Sequence, residues 1–451
     1  MSDVGQYGRR ILDITARLLF ALAVAAALSS GAHAQSLKEL RTKFQEQLRL
    51  AHERGIPTKP SELERLAYVP DDQNAAPLYR KAFDPMWAKK SAWRIDSFNP
   101  EDARSVKAAR AQLAPFRATL AQLRIASKKP GCYFKRDWAK FDSPAFPLLG
   151  SFKLAAKAFC MSARLNALDG KAEEAASDLE AAARMTRHLG NSFEILSQLV
   201  SLALGAIIDN YAWQIVLDRP DDASFIVAGR AIAVLGSPPS LLRRFGDQVA
   251  TPSRLVRAYE AEFRDYIFAY DFALDYFGAC SWQFQDMLPG FAKAISDDLL
   301  DYEASILALE VIRKRYAALL AGPELGPRAK SRQQEITTWF GDQKGGVYKE
   351  AREWDIDLTN NVEGSTTALA RSRAILAGIA ILRARASGGH FPETLPDLGE
   401  LGIDPLTDNP WLYKREGAGF RLRSPATRHT EHWGDRPLVE IIFPRPAVAG
   451  K

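Results

Sequence analysis

Apolar residues recur at spacings of three and four over most of this chain, the period of helices that bury one face. Residues 148–168 put Leu154, Ala158, Met161, Leu165 and Leu168 on one stripe. Asp169-Gly170 then turns the chain, and residues 171–189 repeat the pattern with Ala175, Leu179, Ala182, Met185 and Leu189. The alanines on both stripes let the two axes approach closely. Gly190 is placed to stop the second helix in a left-handed conformation. Asn191-x-x-Glu194 starts a third helix, running to about Leu217. Further helices are expected over Asp222–Leu235 and from Ser240 onward, separated by Gly236-Ser237-Pro238-Pro239.

Earlier helix starts carry cap signatures. Ser36-x-x-Glu39 and Ser61-x-x-Glu64 have capping-box spacing, and Asn99-Pro100-Glu101-Asp102 offers a capping Asn with Pro at the first helical position. Residues 84–98, with Pro85, Trp87 and Trp93, show no clean period and read as a loop. Residues 128–147, interrupted by Pro130, Pro144 and Pro147, read as a second irregular stretch.

The period changes after about residue 365. A last helix is expected over residues 370–386, ended by Gly388-Gly389, and Phe391-Pro392-Glu393-Thr394-Leu395 opens a short helical turn closed near Gly402. Residues 411–414 and 420–423 read as strands joined through Glu416-Gly417-Ala418-Gly419, and residues 438–443 as a third strand. Ile375, Ile379 and Leu382 form one stripe, expected to lie under Trp411, Tyr413, Phe420 and Leu422. The fold class is therefore mainly α: a helical-hairpin body with a small C-terminal α+β module, one helix on a three-stranded antiparallel meander. The expected division is a signal peptide over 1–34, an N-terminal helical region over 35–130, a central helical domain over 131–360 and the C-terminal module over 365–451.

The signal reading rests on the first 34 residues. Arg9, Arg10 and Arg17 precede an apolar run at residues 18–28, and Gly31-Ala32-His33-Ala34 ends in the small-x-small pattern cut by signal peptidase, before Gln35. The run falls short of the roughly 20 residues that span a bilayer, so a cleaved signal and a periplasmic or secreted product are expected, with no stable membrane anchor. The twin arginine also fits the folded-protein export route. Net charge is only +6 over 451 residues and the basic residues alternate with acids, which argues against nucleic-acid binding. Cys132, Cys160 and Cys280 form no CxxC; Cys160 sits in an apolar helical run, and Cys132, in a loop, is the better disulfide partner.

Several local patterns resemble known proteins. The stretch ALDGKAEEAASDLEAA is similar to the middle of a tetratricopeptide repeat, in a single copy. Asn74-Ala75-Ala76-Pro77-Leu78-Tyr79, then SQLVSLALGAI from Ser197 to Ile207, then the tail from Arg383 resemble, in that order, a group of exported, uncharacterised helical proteins of environmental bacteria, planctomycetes prominent among them. The tail is also similar to the C-terminal region of type II secretion major pseudopilins, through Phe391-Pro392, Leu395, Leu398, Asp404-Pro405, Pro410, Tyr413, Gly419-Phe420 and Ser424. That resemblance implies a fold module and not the pseudopilin calcium site. Ser424 leads into Pro425-Ala426-Thr427-Arg428-His429-Thr430-Glu431-His432-Trp433, which offers few of the oxygen ligands a hard cation takes, and only Gly434-Asp435 matches the acidic loop. Asp404-Pro405 has a local reading too: a turn in which Asp accepts backbone N–H groups.

No catalytic or nucleotide-binding motif is present. His429, Glu431 and His432 make a weak metal-ligand cluster, with His390 a further imidazole, but their spacing outside a helix is not diagnostic and the segment reads as a solvated loop. His188, in the last turn of its helix, reads as favouring the dipole there. Tyr259, Phe263, Tyr266 and Tyr270 share a helical face. That stripe is either core or, with Glu262, Asp265 and Asp271 beside it, a ligand or glycan groove. Asp297, Asp298 and Asp301 read as a solvated acid run rather than an acid–base pair. No cofactor is implied. The leading expectation is a soluble envelope protein that binds or organises a protein or envelope partner through its helical surface, without catalysis. An exported hydrolase with its site in the aromatic segment, and an accessory of a secretion or pilus system, are the alternatives.

Overall fold

A computed structural model describes residues 60–88, 95, 97–135, 148–191, 195–235, 325–354, 359–430 and 434–444, with scattered positions within 39–53 and 303–323. The chain divides into two compact units. The larger comprises residues 60–262, 315–338 and 357–451, the smaller residues 1–59, 263–314 and 339–356.

The larger unit is built on the helical hairpin that the periodicity predicts. Helices α1 (Pro60–Ala67), α2 (Ala76–Ala88), α3 (Ala103–Leu113) and α4 (Arg117–Ser127) lead to α5 (Leu149–Leu168) and α6 (Ala172–Gly190), followed by α7 (Ile195–Asp218) and α8 (Asp222–Leu235). Ala155, Ala158, Ala175 and Ala182 are fully buried, which brings the backbones of α5 and α6 together, and Gly170, at φ 74°, makes the turn between them. Helices α7 and α8 pack on α6, and α4 covers it too. Helix α7 contains a 20-residue stretch, Leu199–Asp218, long and apolar enough to cross a bilayer, half of it buried within the protein.

Several helix ends differ from expectation. Gly190 stays within α6, and Asn191 caps it at φ −89°, so no left-handed residue is used there. Helix α3 starts after Asp102, whose carboxylate accepts from Arg104 N, while Asn99 accepts from Glu101 N in the preceding turn. Asp102 wins because Asn99 spends its side chain on that turn. Helix α1 begins at Pro60, so Ser61 lies inside it and is not its cap. Helix α2 continues through Pro85 to Ala88 rather than ending at Asp84, at the expense of one backbone hydrogen bond. Helices expected from Ser240 onward, and the Ser36 box, lie outside the described residues.

Helices α9 (Pro327–Asp342), α10 (Gly346–Trp354) and α11 (Thr359–Gly388) precede the tail. In the smaller unit Arg352 of α10 donates to the carbonyls of Phe340, Gly341 and Gln343, so a cation closes the C-terminal end of α9. The Lys314 ammonium stands 3.5 Å over the Trp339 ring.

Helix α11 starts eleven residues before the expected Ala370 and ends at Gly388, followed by Gly389, which is left-handed at φ 75°. No helix forms over 391–398; a single 3-10 turn, Gly399–Gly402, takes its place. The ladders are β1 (Ile403–Asp404) with β2 (Asn409–Pro410), and β5 (Thr427–Thr430) with β6 (Gly434–Pro437). The main sheet is antiparallel, in the order β3 (Leu412–Glu416), β4 (Gly419–Arg423), β7 (Glu440–Phe443), with Tyr413 opposite Leu422 and Phe420 opposite Phe443. The three-stranded sheet is as expected; the β5–β6 ladder is an excursion between its second and third strands. Ile375, Ile379, Leu382, Trp411, Phe420 and Leu422 are all buried, and Tyr413 is half-buried against them.

Gly419 is the tightest point of the sheet. A Cβ there would sit 1.8 Å from the Phe443 carbonyl oxygen. Gly419→Ala is therefore expected to lower stability by about 3 kcal/mol, read as a shift in the urea midpoint with preserved helical circular dichroism. An unchanged midpoint would show that β7 moves aside freely.

Candidate functional site

Among the described residues of the larger unit, buried polar groups gather at several places, three of them in the helical body around α2, α6 and α7. The first joins segments far apart in sequence. Asn74, ahead of α2, accepts at Oδ1 from the N–H groups of Ala76 and Tyr133 and donates from Nδ2 to the Tyr133 carbonyl. Ala75 N–H donates to the Gly131 carbonyl, and Gly131 N–H to that of Gln73. These bonds fix the 129–133 loop against the start of α2. Gly131 is needed there because a Cβ would lie 2.8 Å from a Val69 methyl.

One turn into α2, the Tyr79 hydroxyl lies 2.8 Å from His188 Nδ1. His188 Nε2 lies 3.0 Å from the Lys129 carbonyl oxygen. A carbonyl only accepts, so Nε2 carries the proton, and Nδ1 accepts from the tyrosine. Burial, reinforced by Arg187 and Arg184, holds the His188 pKa down to about 4, although the Lys129 carbonyl works the other way. The imidazole is neutral at pH 7. It is therefore not the dipole-facing cation that its last-turn position suggests; being buried, it is used as a hydrogen-bond bridge. Burial also raises the Tyr79 hydroxyl well above its ordinary range, so it remains a donor. The half-buried Cys132 thiol adjoins this cluster and burial pushes it up as well. Cys160 is fully buried and free, as its apolar setting predicts; Cys280 lies outside the described residues.

The second place is Asp178 of α6. It accepts from Ser162 Oγ at 2.6 Å and Asn166 Nδ2 at 3.0 Å, both on α5, and from Arg124 Nε at 2.7 Å on α4. Burial raises its pKa and these donors oppose the rise. Nearby, Arg164 of α5 binds both oxygens of Asp218, at 2.6 and 3.0 Å, and lies over the Phe98 ring. The third is Asp209 of α7, 2% exposed, whose two oxygens lie 3.1 and 3.0 Å from Ser372 Oγ of α11. Burial pushes this carboxyl up to about 7, against the hydroxyl and the field of Arg371.

In the tail, Asp404 Oδ1 accepts from Leu406 N–H, the turn expected of Asp404-Pro405, and Oδ2 accepts from Ser424 Oγ at 2.6 Å and from Thr407. Trp411 and Tyr413 donate to the carbonyls of Leu401 and Pro392.

Tyr259, Phe263, Tyr266, Tyr270, Glu431, His432 and the 297–301 acid run lie outside the described residues. His429 is in β5, its backbone opposite Asp435. Among the described residues no group of three His, Cys, Asp or Glu side chains is placed to hold a metal ion. Comparison with protein-family models, curated proteins and solved structures returned no match. Tyr79 with His188, and Asp209 with Ser372, carry no spacing signal; each pair is separated by more than one hundred residues.

A depressed histidine pKa makes the folded state bind fewer protons than the unfolded chain. Stability from His188 is thus complete above pH 6.5 and is lost as pH falls toward 4, by about 3 kcal/mol in all. The stability difference between wild type and His188→Gln should therefore narrow by about 3 kcal/mol as pH falls from 6.5 to 4. Tyr79→Phe, which orphans Nδ1, should cost about 1–3 kcal/mol at pH 7 by chemical denaturation. A difference between wild type and His188→Gln that is independent of pH over that range would disprove the neutral bridge.

Proposed function

We propose that this chain is an exported envelope protein that binds or organises a partner through its helical surface and performs no catalysis. The observation that carries this reading is the commitment, among the described residues, of most buried charged and imidazole side chains to internal bonds. Both nitrogens of His188 are used, Asp178 takes three donors, Arg164 and Asp218 neutralise each other, and Asp404 is tied to Ser424 and Thr407. Groups held this way position the fold and are not free to attack or to shuttle protons. The outer faces, by contrast, display apolar side chains: Ile125 of α4 is 64% and Ile226 of α8 50% exposed. The tetratricopeptide-like hairpin sequence favours a protein partner. Residues 1–34 support export with cleavage before Gln35 and a soluble periplasmic or secreted product.

The mature chain is expected to begin at Gln35, by mass spectrometry of the soluble periplasmic fraction of an expressing bacterium. A photo-cross-linker at position 125 or 226 is expected to join it to one discrete envelope component. Retention of residues 18–28 in the membrane fraction would overturn the export reading. Turnover of an ester, peptide or glycoside by the purified chain, reduced in Tyr259→Ala or Tyr266→Ala, would replace the binding reading with a hydrolase.

A further inference from the structure

We propose that the Asp209–Ser372 contact is a pH-responsive latch, holding α11 and the sheet it carries onto α7 and loosening as the carboxyl gives up its proton. Asp209 lies midway along α7, buried at the face that receives α11. Its two oxygens are equidistant, within 0.1 Å, from one hydroxyl. That hydroxyl has one proton and can satisfy one oxygen at a time. The other buried carboxylates are held differently: Asp178 has an Arg and two further donors, Asp218 a bidentate Arg, and Asp404 two hydroxyls and a backbone N–H. An ionised Asp209 is thus underpaired in an apolar contact, whereas a protonated one can also donate to Ser372.

The ionisable groups on the elements around α7 do not rescue the charge. On α5, Arg164 is spent on Asp218; on α6, Asp178 is tied to Arg124, Glu180 to Arg184 and Arg230, and His188 is neutral. On α8, Arg230 belongs to Glu173 and Glu180. Arg371 of α11 does favour the charged carboxyl, but burial outweighs it. The sign follows. A carboxyl whose folded pKa is about 7, against about 3.9 when exposed, stabilises the closed contact fully below pH 4, and this is lost as pH rises to about 7.

Hydrogen exchange of the full chain at pH 5 and 7, corrected for intrinsic exchange rates, reads the latch in the amides of 370–382. Their opening constant is expected to rise about fiftyfold between those pH values, and Asp209→Asn, which imitates the neutral acid, is expected to abolish the rise. Ser372→Ala removes the group that favours ionisation and raises the folded pKa, so its rise, starting near pH 4 as before, should continue between pH 7 and 8, where the wild-type rise levels off. The proposal is overturned if wild-type protection of 370–382 is independent of pH, or if Asp209→Asn retains the wild-type dependence. Should Asp209→Asn not fold, Ser372→Ala decides at pH 7 and 8: a rise that continues over that interval supports the latch, one that ends where the wild-type rise ends overturns it.

Discussion

The larger unit depends on how closely α5 and α6 approach. With fully buried alanines on both helices, the contact is made by backbone and Cβ, and little free volume remains. Into this tight contact the fold inserts a carboxylate. Asp178 would be costly there if unpaired, yet it bonds to Ser162 and Asn166 across the hairpin and to Arg124 on α4. Its directional bonds fix how α5 and α6 are rotated and translated against each other, which alanine packing alone leaves loosely specified. Helices α7, α8 and α4 then settle on a surface whose geometry is already fixed.

Helix α11 repeats this logic one layer out. It packs on α7 with one part of its surface and supports the tail sheet with another. Gly378 marks the junction: a Cβ there would be 3.1 Å from the Trp213 ring of α7 and 3.5 Å from the Ile441 methyl of β7. The missing side chain lets body, helix and sheet share one apolar core, running from Ala75 to Phe443. A small sheet with little core of its own is stabilised by this continuity.

The period of the chain made α5, α6, α8 and the three main strands legible, because each buries one face and alternates or cycles accordingly. Boundaries were less so. Asp102 and Asn99 are equally good caps in sequence, and only the turn around Pro100 decides between them. Pro85 reads as a breaker, yet α2 tolerates it three residues from its end. The strongly apolar α7 shows no one-sided stripe, since α5, α6, α8 and α11 all pack against it. The polar clusters were illegible for a simpler reason: their partners meet through the fold. Asn74 and Tyr79 stand out as a motif, but what they hold, a loop fifty-odd residues on and a histidine 109 residues on, follows from the packing of α2 beside α6.

Two buried titratable groups then act in opposite senses over nearly the same range. His188 withdraws stability as pH falls from 6.5 toward 4, and Asp209 withdraws it as pH rises from 4 toward 7. Their contributions to global stability largely cancel, so a single unfolding midpoint would vary little across a range in which two contacts change substantially. The cancellation is global only. His188 joins α2, α6 and the 129–133 loop, whereas Asp209 joins α7 to α11. Acid therefore weakens the first contact while it tightens the second, and neutral pH does the reverse. Proton concentration redistributes stability between the N-terminal helices and the C-terminal sheet without exacting it from the fold as a whole.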